Sequence, residues 1–191
     1  MKLIQPLQFA DNLQRAVNFT AKGDSYITVG CGDPKGWCNK GPGQGSGLAG
    51  YAWTYKGWFG YKYYYINLCR PFFSSVSLDA RWHDVQAWMT AKDVKRLKDA
   101  TNFHTQGQFF LHEMMHLDLI GDPPIIDEFI DPEGGGAAKA YGPKRVHMLA
   151  QRSLAKGGGA TRASTNADSY AWMTSGKFLG FDMISTVEPA D

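Results

Sequence analysis

The stretch FFLHEMMHLDLIG, residues 109 to 121, sets two histidines four apart, with a glutamate directly after the first, inside a run built otherwise mostly of Phe, Leu, Met and Ile. Apolar residues at Phe109, Phe110, Met114, Leu117 and Ile120, with Gly121 where a C-terminal cap belongs, predict a buried helix over 105–120. Burying two imidazoles and a carboxylate without a shared partner is costly. The fold must therefore bring something to this helix that satisfies His112, Glu113 and His116 together.

In a helix, residues four apart lie one above the other, so His112 and His116 can present ring nitrogens to one point, about 2.0–2.1 Å from each, which is zinc geometry. Glu113 is rotated about 100° from His112, too far round for an obvious ligand but within reach of a water held there. Zinc lowers the pKa of a bound water toward about 7, and a carboxylate can then take the proton as that water attacks a carbonyl. The expected roles are ligands for His112 and His116 and general base for Glu113.

A catalytic zinc needs a third protein ligand. Asp118, Asp122, Asp127, Glu128, Asp131 and Glu133 all follow closely. Asp118, two residues past His116, falls on the wrong side of a continuing helix. Asp122 has the six-residue spacing of HExxHxxGxxH sites but lacks their turning glycine, since position 119 is Leu119. Asp127 follows Pro-Pro-Ile-Ile, which gives the chain room to leave the helix and double back. His83, His104 and His147 are isolated and read as structural or surface residues.

The rest of the chain supports an α+β fold in a single domain spanning 1–191. Residues 1–22 repeat apolar positions at helical steps up to Gly23. The segments 25–32, 50–60 and 62–69 are β-branched and aromatic, predicting a small N-terminal twisted sheet. From Leu78 the pattern is helical, with Val85, Trp88 and Met89 on one face, then a short helix with Val94 and Leu97. Residues 121–136 read as an irregular loop, and 144–155 and 165–180 as helices.

A net charge of +2 with scattered basic residues offers no footprint for a nucleic acid or an anionic membrane, and neither is expected as a partner. No apolar run is long enough to span a bilayer. MKLIQPLQFADNLQ lacks the h-region of a signal peptide. Three cysteines permit one disulfide, from Cys38 or Cys31 to Cys69, and Asn18-Phe19-Thr20 is a glycosylation sequon. Either the chain is intracellular or the sequence is that of a processed form; the cysteines and sequon favour a secreted protein, and a monomer is expected.

Beyond the helix, AYG at 140–142, MLAQRSLA at 148–155 and NADSYAWM at 166–173 follow HExxH in a fixed order. This resembles the aspzincin metallopeptidases, the deuterolysin and peptidyl-lysine metalloendopeptidase group, and their fungal relatives with a longer loop after HExxH. The resemblance covers roughly residues 105–180. It implies a zincin-like fold, Zn2+ held by His112, His116 and an aspartate, Glu113 as base, and Tyr141 as a donor to the oxyanion of the tetrahedral intermediate. Asp168 matches an acid on the substrate side of the site, and Ala171 removes the second acid of the lysine-specific branch.

One departure stands out: the family's ligand aspartate precedes the tyrosine by three residues, and position 138 here is Ala138. Asp127 is the first choice to replace it, because IID gives an apolar anchor before a bend that Phe129 and Ile130 follow; Asp131 is second and Asp122 third. The expected function is a secreted zinc endopeptidase acting on peptide or protein substrates. The alternative is a catalytically degenerate zincin-fold protein that binds zinc or a peptide without turnover.

Overall fold

The structure, a computed structural model, describes residues 4–22, 27–38, 47–131 and 136–180. Among these residues the fold is α+β, with eight α-helices and two small sheets: α1 (Ile4–Lys22), β1 (Ile27–Gly30), β2 (Gly50–Lys56), β3 (Lys62–Leu68), α2 (Arg70–Phe73), α3 (Leu78–Thr90), α4 (Val94–Lys98), α5 (Gln106–Met115), β4 (Phe129–Ile130), β5 (Ala138–Lys139), α6 (Gly142–Gln151), α7 (Ala160–Ala163) and α8 (Ala167–Leu179). The expected end of the first helix at Gly23 and the start of the first strand at Ser25 lie outside the described residues.

β3 is the central strand of the three-stranded sheet, parallel to β1 and antiparallel to β2. Its alternation sets Tyr64 and Ile66 on the buried face, where they meet Met114 and Met115 of α5, Leu117, Ile120 and Ile125 beyond it, and Ala167 and Tyr170 of α8. α1 closes this core: Phe9 stacks on Tyr170 with ring centroids 3.8 Å apart, and Asn12 Nδ2 donates to the Tyr170 hydroxyl. A second cluster joins Val85, Phe103, Val146, Trp172 and Leu179. α8 contributes to both clusters, through Ala167 and Tyr170 to the first and Trp172 and Leu179 to the second, and the motif helix α5 packs with it in the first.

Several boundaries differ from the sequence reading for local reasons. β2 ends at Lys56 because Gly57 to Tyr61 form a closed turn, with Gly57 N–H donating to Tyr61 O at 2.8 Å. Met89 is 61% exposed, so the inward face of α3 is carried by Val85, with Trp82 and Trp88 partly buried. α6 stops at Gln151, because Arg152 is extended and only a short 3-10 turn, Leu154–Lys156, follows. The segment read as wholly irregular contains β4, paired antiparallel with β5.

Cys38 and Cys69 form the disulfide, their Cα atoms 5.4 Å apart, and Cys31 is exposed and free. The bond closes a loop of separation 31, for which chain entropy gives about 3–4 kcal/mol of stabilisation. Such a bond fits an oxidising, extracellular environment. Among the described residues no helix is long and apolar enough to cross a membrane.

Candidate metal centre

α5 begins where the Thr105 hydroxyl accepts from Gln108 N–H, a side-chain cap that fixes the phase of the helix. It ends earlier than the 105–120 pattern implies: Met115 is its last residue, and His116 is the C-cap, still in the right-handed helical region. His112 and His116 therefore keep their i, i+4 alignment while the chain is already turning away. Gly121 is required at the turn, since a Cβ there would lie 2.6 Å from Met115 O and 2.9 Å from Ile125 Cγ1.

The chain then doubles back and is tied to the start of α8. Ile125 is buried in the core, Ile126 N–H donates to Thr165 O, and Ala167 N–H donates to Ile126 O. Glu128 N–H donates to Asn166 Oδ1, and its buried carboxylate takes Arg162 and the Thr165 hydroxyl. Asp127, clamped between these anchors, reaches the motif helix.

The result is a nearly equilateral triangle of donor atoms. Asp127 Oδ1 lies 3.2 Å from His112 Nε2 and 3.2 Å from His116 Nε2, and the two nitrogens are 3.3 Å apart. Asp127 Oδ1 is buried and makes no aligned hydrogen bond. For bonds of 2.0–2.1 Å, a tetrahedral zinc site has ligand-to-ligand edges of about 3.3 Å. The three residues thus form a group that could hold a metal ion.

The outer nitrogens set how the rings face. His116 Nδ1 is 3.1 Å from Ile125 O, which can only accept, so Nδ1 carries the proton and Nε2 turns its lone pair inward. His112 Nδ1 is 3.2 Å from Asp168 Oδ1, the same arrangement with a carboxylate. Burial opposes a charge on His112, yet the Asp127 and Asp168 carboxylates and the field of Glu113 push its pKa up to about 10. Burial would raise the Asp127 carboxyl, but the two histidines hold it well below the usual range. The surrounding carboxylates thus favour positive charge on the His112 ring.

Asp127 Oδ2 is occupied from behind. The Tyr141 hydroxyl donates to it at 2.6 Å, and Lys139 Nζ donates to it at 2.8 Å and to the Tyr141 oxygen at 2.9 Å. Asp127 can therefore offer one oxygen inward, leaving a tetrahedral corner open. Burial and the Asp127 carboxylate push the Tyr141 phenol well above its usual range, so it stays a donor. Its ring meets His112 edge-on, centroids 5.4 Å apart.

Glu113 is 8% exposed. Burial raises its carboxyl pKa, and the neighbouring histidines pull it back. Strand β2 packs directly over it: a Cβ on Gly50 would sit 3.2 Å from Glu113 Cγ and 3.1 Å from Asn67 O, so only glycine fits there undisturbed. A cleft of about 330 Å³ opens beside His112, Glu113 and Tyr141, walled by Gly47 to Gly50, His104 and Phe109.

Of the other sequence candidates, Glu133 lies outside the described residues, and the rest are elsewhere. Asp118 pairs with Lys62; Asp122 is exposed beside Arg15; Asp131 makes no part of the triangle, and its carbonyl accepts from Arg152. Asp168 borders the cleft, but its oxygens already take His112, the Gly142 N–H and the Trp172 indole. Sequence reasoning missed Lys139, although its position two before Tyr141, on the same side of an extended segment, was a usable signal. It also missed the Glu128–Arg162 brace and Gly50, which only the tertiary contacts reveal. Asp168→Asn should lower affinity for titrated Zn2+ about 10–100-fold, the cost of losing an outer partner of a ligand histidine; a chelator-competition titration measures it, and unchanged affinity would count against the orienting role.

Comparisons of the chain with protein-family models, with curated proteins and with solved structures found no match.

Proposed function

We propose that this chain is a secreted zinc-dependent endopeptidase of zincin type. The observation that carries the reading is the convergence of His112 Nε2, His116 Nε2 and Asp127 Oδ1 on one tetrahedron-sized gap, with a buried glutamate next along the same helix and a cleft beside both. Two imidazoles and one carboxylate suit zinc, whereas calcium and magnesium prefer all-oxygen sets. When bound, zinc would polarise a carbonyl and make water acidic enough to attack near neutral pH.

The chain's own residues do the rest. Glu113 accepts a proton from the attacking water at its carboxylate and delivers it to the departing amide nitrogen, a shuttle helped by a pKa raised through burial. Asp168 and the Ile125 carbonyl hold the two rings in register. Tyr141 lines the cleft with a protonated hydroxyl; Lys139 shares Asp127 Oδ2 and can retain it if that hydroxyl swings toward an oxyanion.

The test is a metal analysis followed by cleavage of an unfolded casein-type substrate. Purified protein is expected to carry one zinc per chain and to cleave; a chelator should stop cleavage and added zinc restore it. Stoichiometric zinc without chelator-sensitive cleavage would overturn the enzyme reading in favour of a metal-binding protein.

A further inference from the structure

The hairpin that joins β2 to β3 ends in the sequence Lys56-Gly57-Trp58-Phe59-Gly60-Tyr61-Lys62. Trp58 is 89% exposed and Phe59 93%, the highest values among the exposed large hydrophobic residues. Tyr55, Tyr61 and Tyr63 stand exposed one step back from the tip. Isolated apolar residues on a surface need no explanation, but five adjoining aromatics do.

The tip is also built, at some cost, to present them. The Gly57 N–H to Tyr61 O bond closes the turn, and the Tyr63 ring lies so close on Gly57 that a Cβ there would be 2.9 Å from it. Phe59 has φ of 65°, a left-handed conformation that bulky residues rarely hold without a reason. Lys56 and Lys62 stand directly opposite in the register, an unfavourable like-charge pair. Asp118 answers Lys62, while Lys56 has no acidic partner among the described residues.

We propose that this hairpin tip anchors the protein to an anionic lipid surface. Polarity is graded along the hairpin: Trp and Phe outermost, tyrosines next, lysines flanking them. That order matches a bilayer interface, where indole and phenol rings sit at the headgroup level and lysine ammoniums meet lipid phosphates. The rings do not form the flat platform a sugar would stack on, because Trp58 and Phe59 are inclined by 76° and Tyr55 and Tyr63 by 38°. The tip is not part of the cleft either: six residue steps along β2 separate Lys56 from Gly50, about 20 Å at the usual strand rise. Scattered charge in the sequence hides this surface, since the two lysines meet only through hairpin pairing.

Sedimentation with phosphatidylcholine–phosphatidylserine vesicles tests the proposal. The wild-type chain should co-sediment, with its tryptophan emission shifted to the blue. The double variant Trp58→Ser, Phe59→Ser, checked for an unchanged thermal transition, should partition about tenfold or more weakly. Its cleavage of a soluble peptide should match the wild type. Lys56→Gln should weaken binding to these vesicles but not to pure phosphatidylcholine. A wild-type chain left in the supernatant, or a double variant that sediments equally, would overturn it. So would a wild-type dimer in vesicle-free buffer that the double variant abolishes, which would give the tip to a second copy instead.

Discussion

Glu113→Gln is expected to bind zinc as the wild type does and to lose hydrolysis by about 10²–10⁴-fold, the usual contribution of a general base. The two side chains have nearly the same shape, so the close packing of Gly50 on Cγ is preserved. The triangle of His112, His116 and Asp127 does not include Glu113, so the metal donors are untouched. Glutamine cannot take the proton, and that is the only function removed. Stability should hold or rise slightly, because the substitution removes a buried carboxylate that burial already disfavours in its charged form. Zinc titration, peptide turnover and thermal unfolding on one preparation check all three. Undiminished cleavage would remove Glu113 from the chemistry.

Asp127→Ala should do the reverse and act on the metal first. It deletes one corner of the donor triangle and leaves Lys139 and Tyr141 without their shared acceptor. The loss of zinc affinity should exceed the roughly 10–100-fold typical of an outer-shell change, with turnover falling in parallel and returning in part at high zinc. Asp122→Ala and Asp131→Ala should leave affinity near the wild type, since neither residue reaches the triangle. Wild-type affinity in Asp127→Ala, with a loss in Asp131→Ala, would reassign the third ligand. The two experiments separate cleanly: one variant holds metal without turnover, the other loses turnover by losing metal.

The histidine pair and its glutamate were legible because they depend on local geometry alone: i, i+4 spacing on a helix buried on its apolar side. The third donor depends on where the chain lands eleven residues past His116, and that path is set by contacts with the start of α8 some forty residues on. The apolar-anchor argument for Asp127 is right for Ile125 and Ile130, which are buried, and wrong for Ile126 and Phe129, which are about half exposed. The actual tether is backbone pairing of Ile126 with residues 165 and 167. No side-chain pattern announces such a bridge. Of the two disulfide pairings the sequence left open, Cys38 to Cys69 is the one formed. The helix end at Met115 rather than residue 120 escaped because Leu117 and Ile120 continue the apolar spacing inside a turn that packs equally well against the core.

The two ring histidines are oriented by different kinds of partner, and they are unequally exposed to mutation. His112 leans on the Asp168 carboxylate, which a single codon change can delete. His116 leans on the Ile125 carbonyl, which every amino acid at position 125 would still provide. A point substitution can therefore loosen the orientation of His112, whereas loosening that of His116 requires the whole 121–126 bend to move. If the triangle holds a metal as proposed, a variant that keeps both histidines and loses it is expected to carry its change on the Asp168 side.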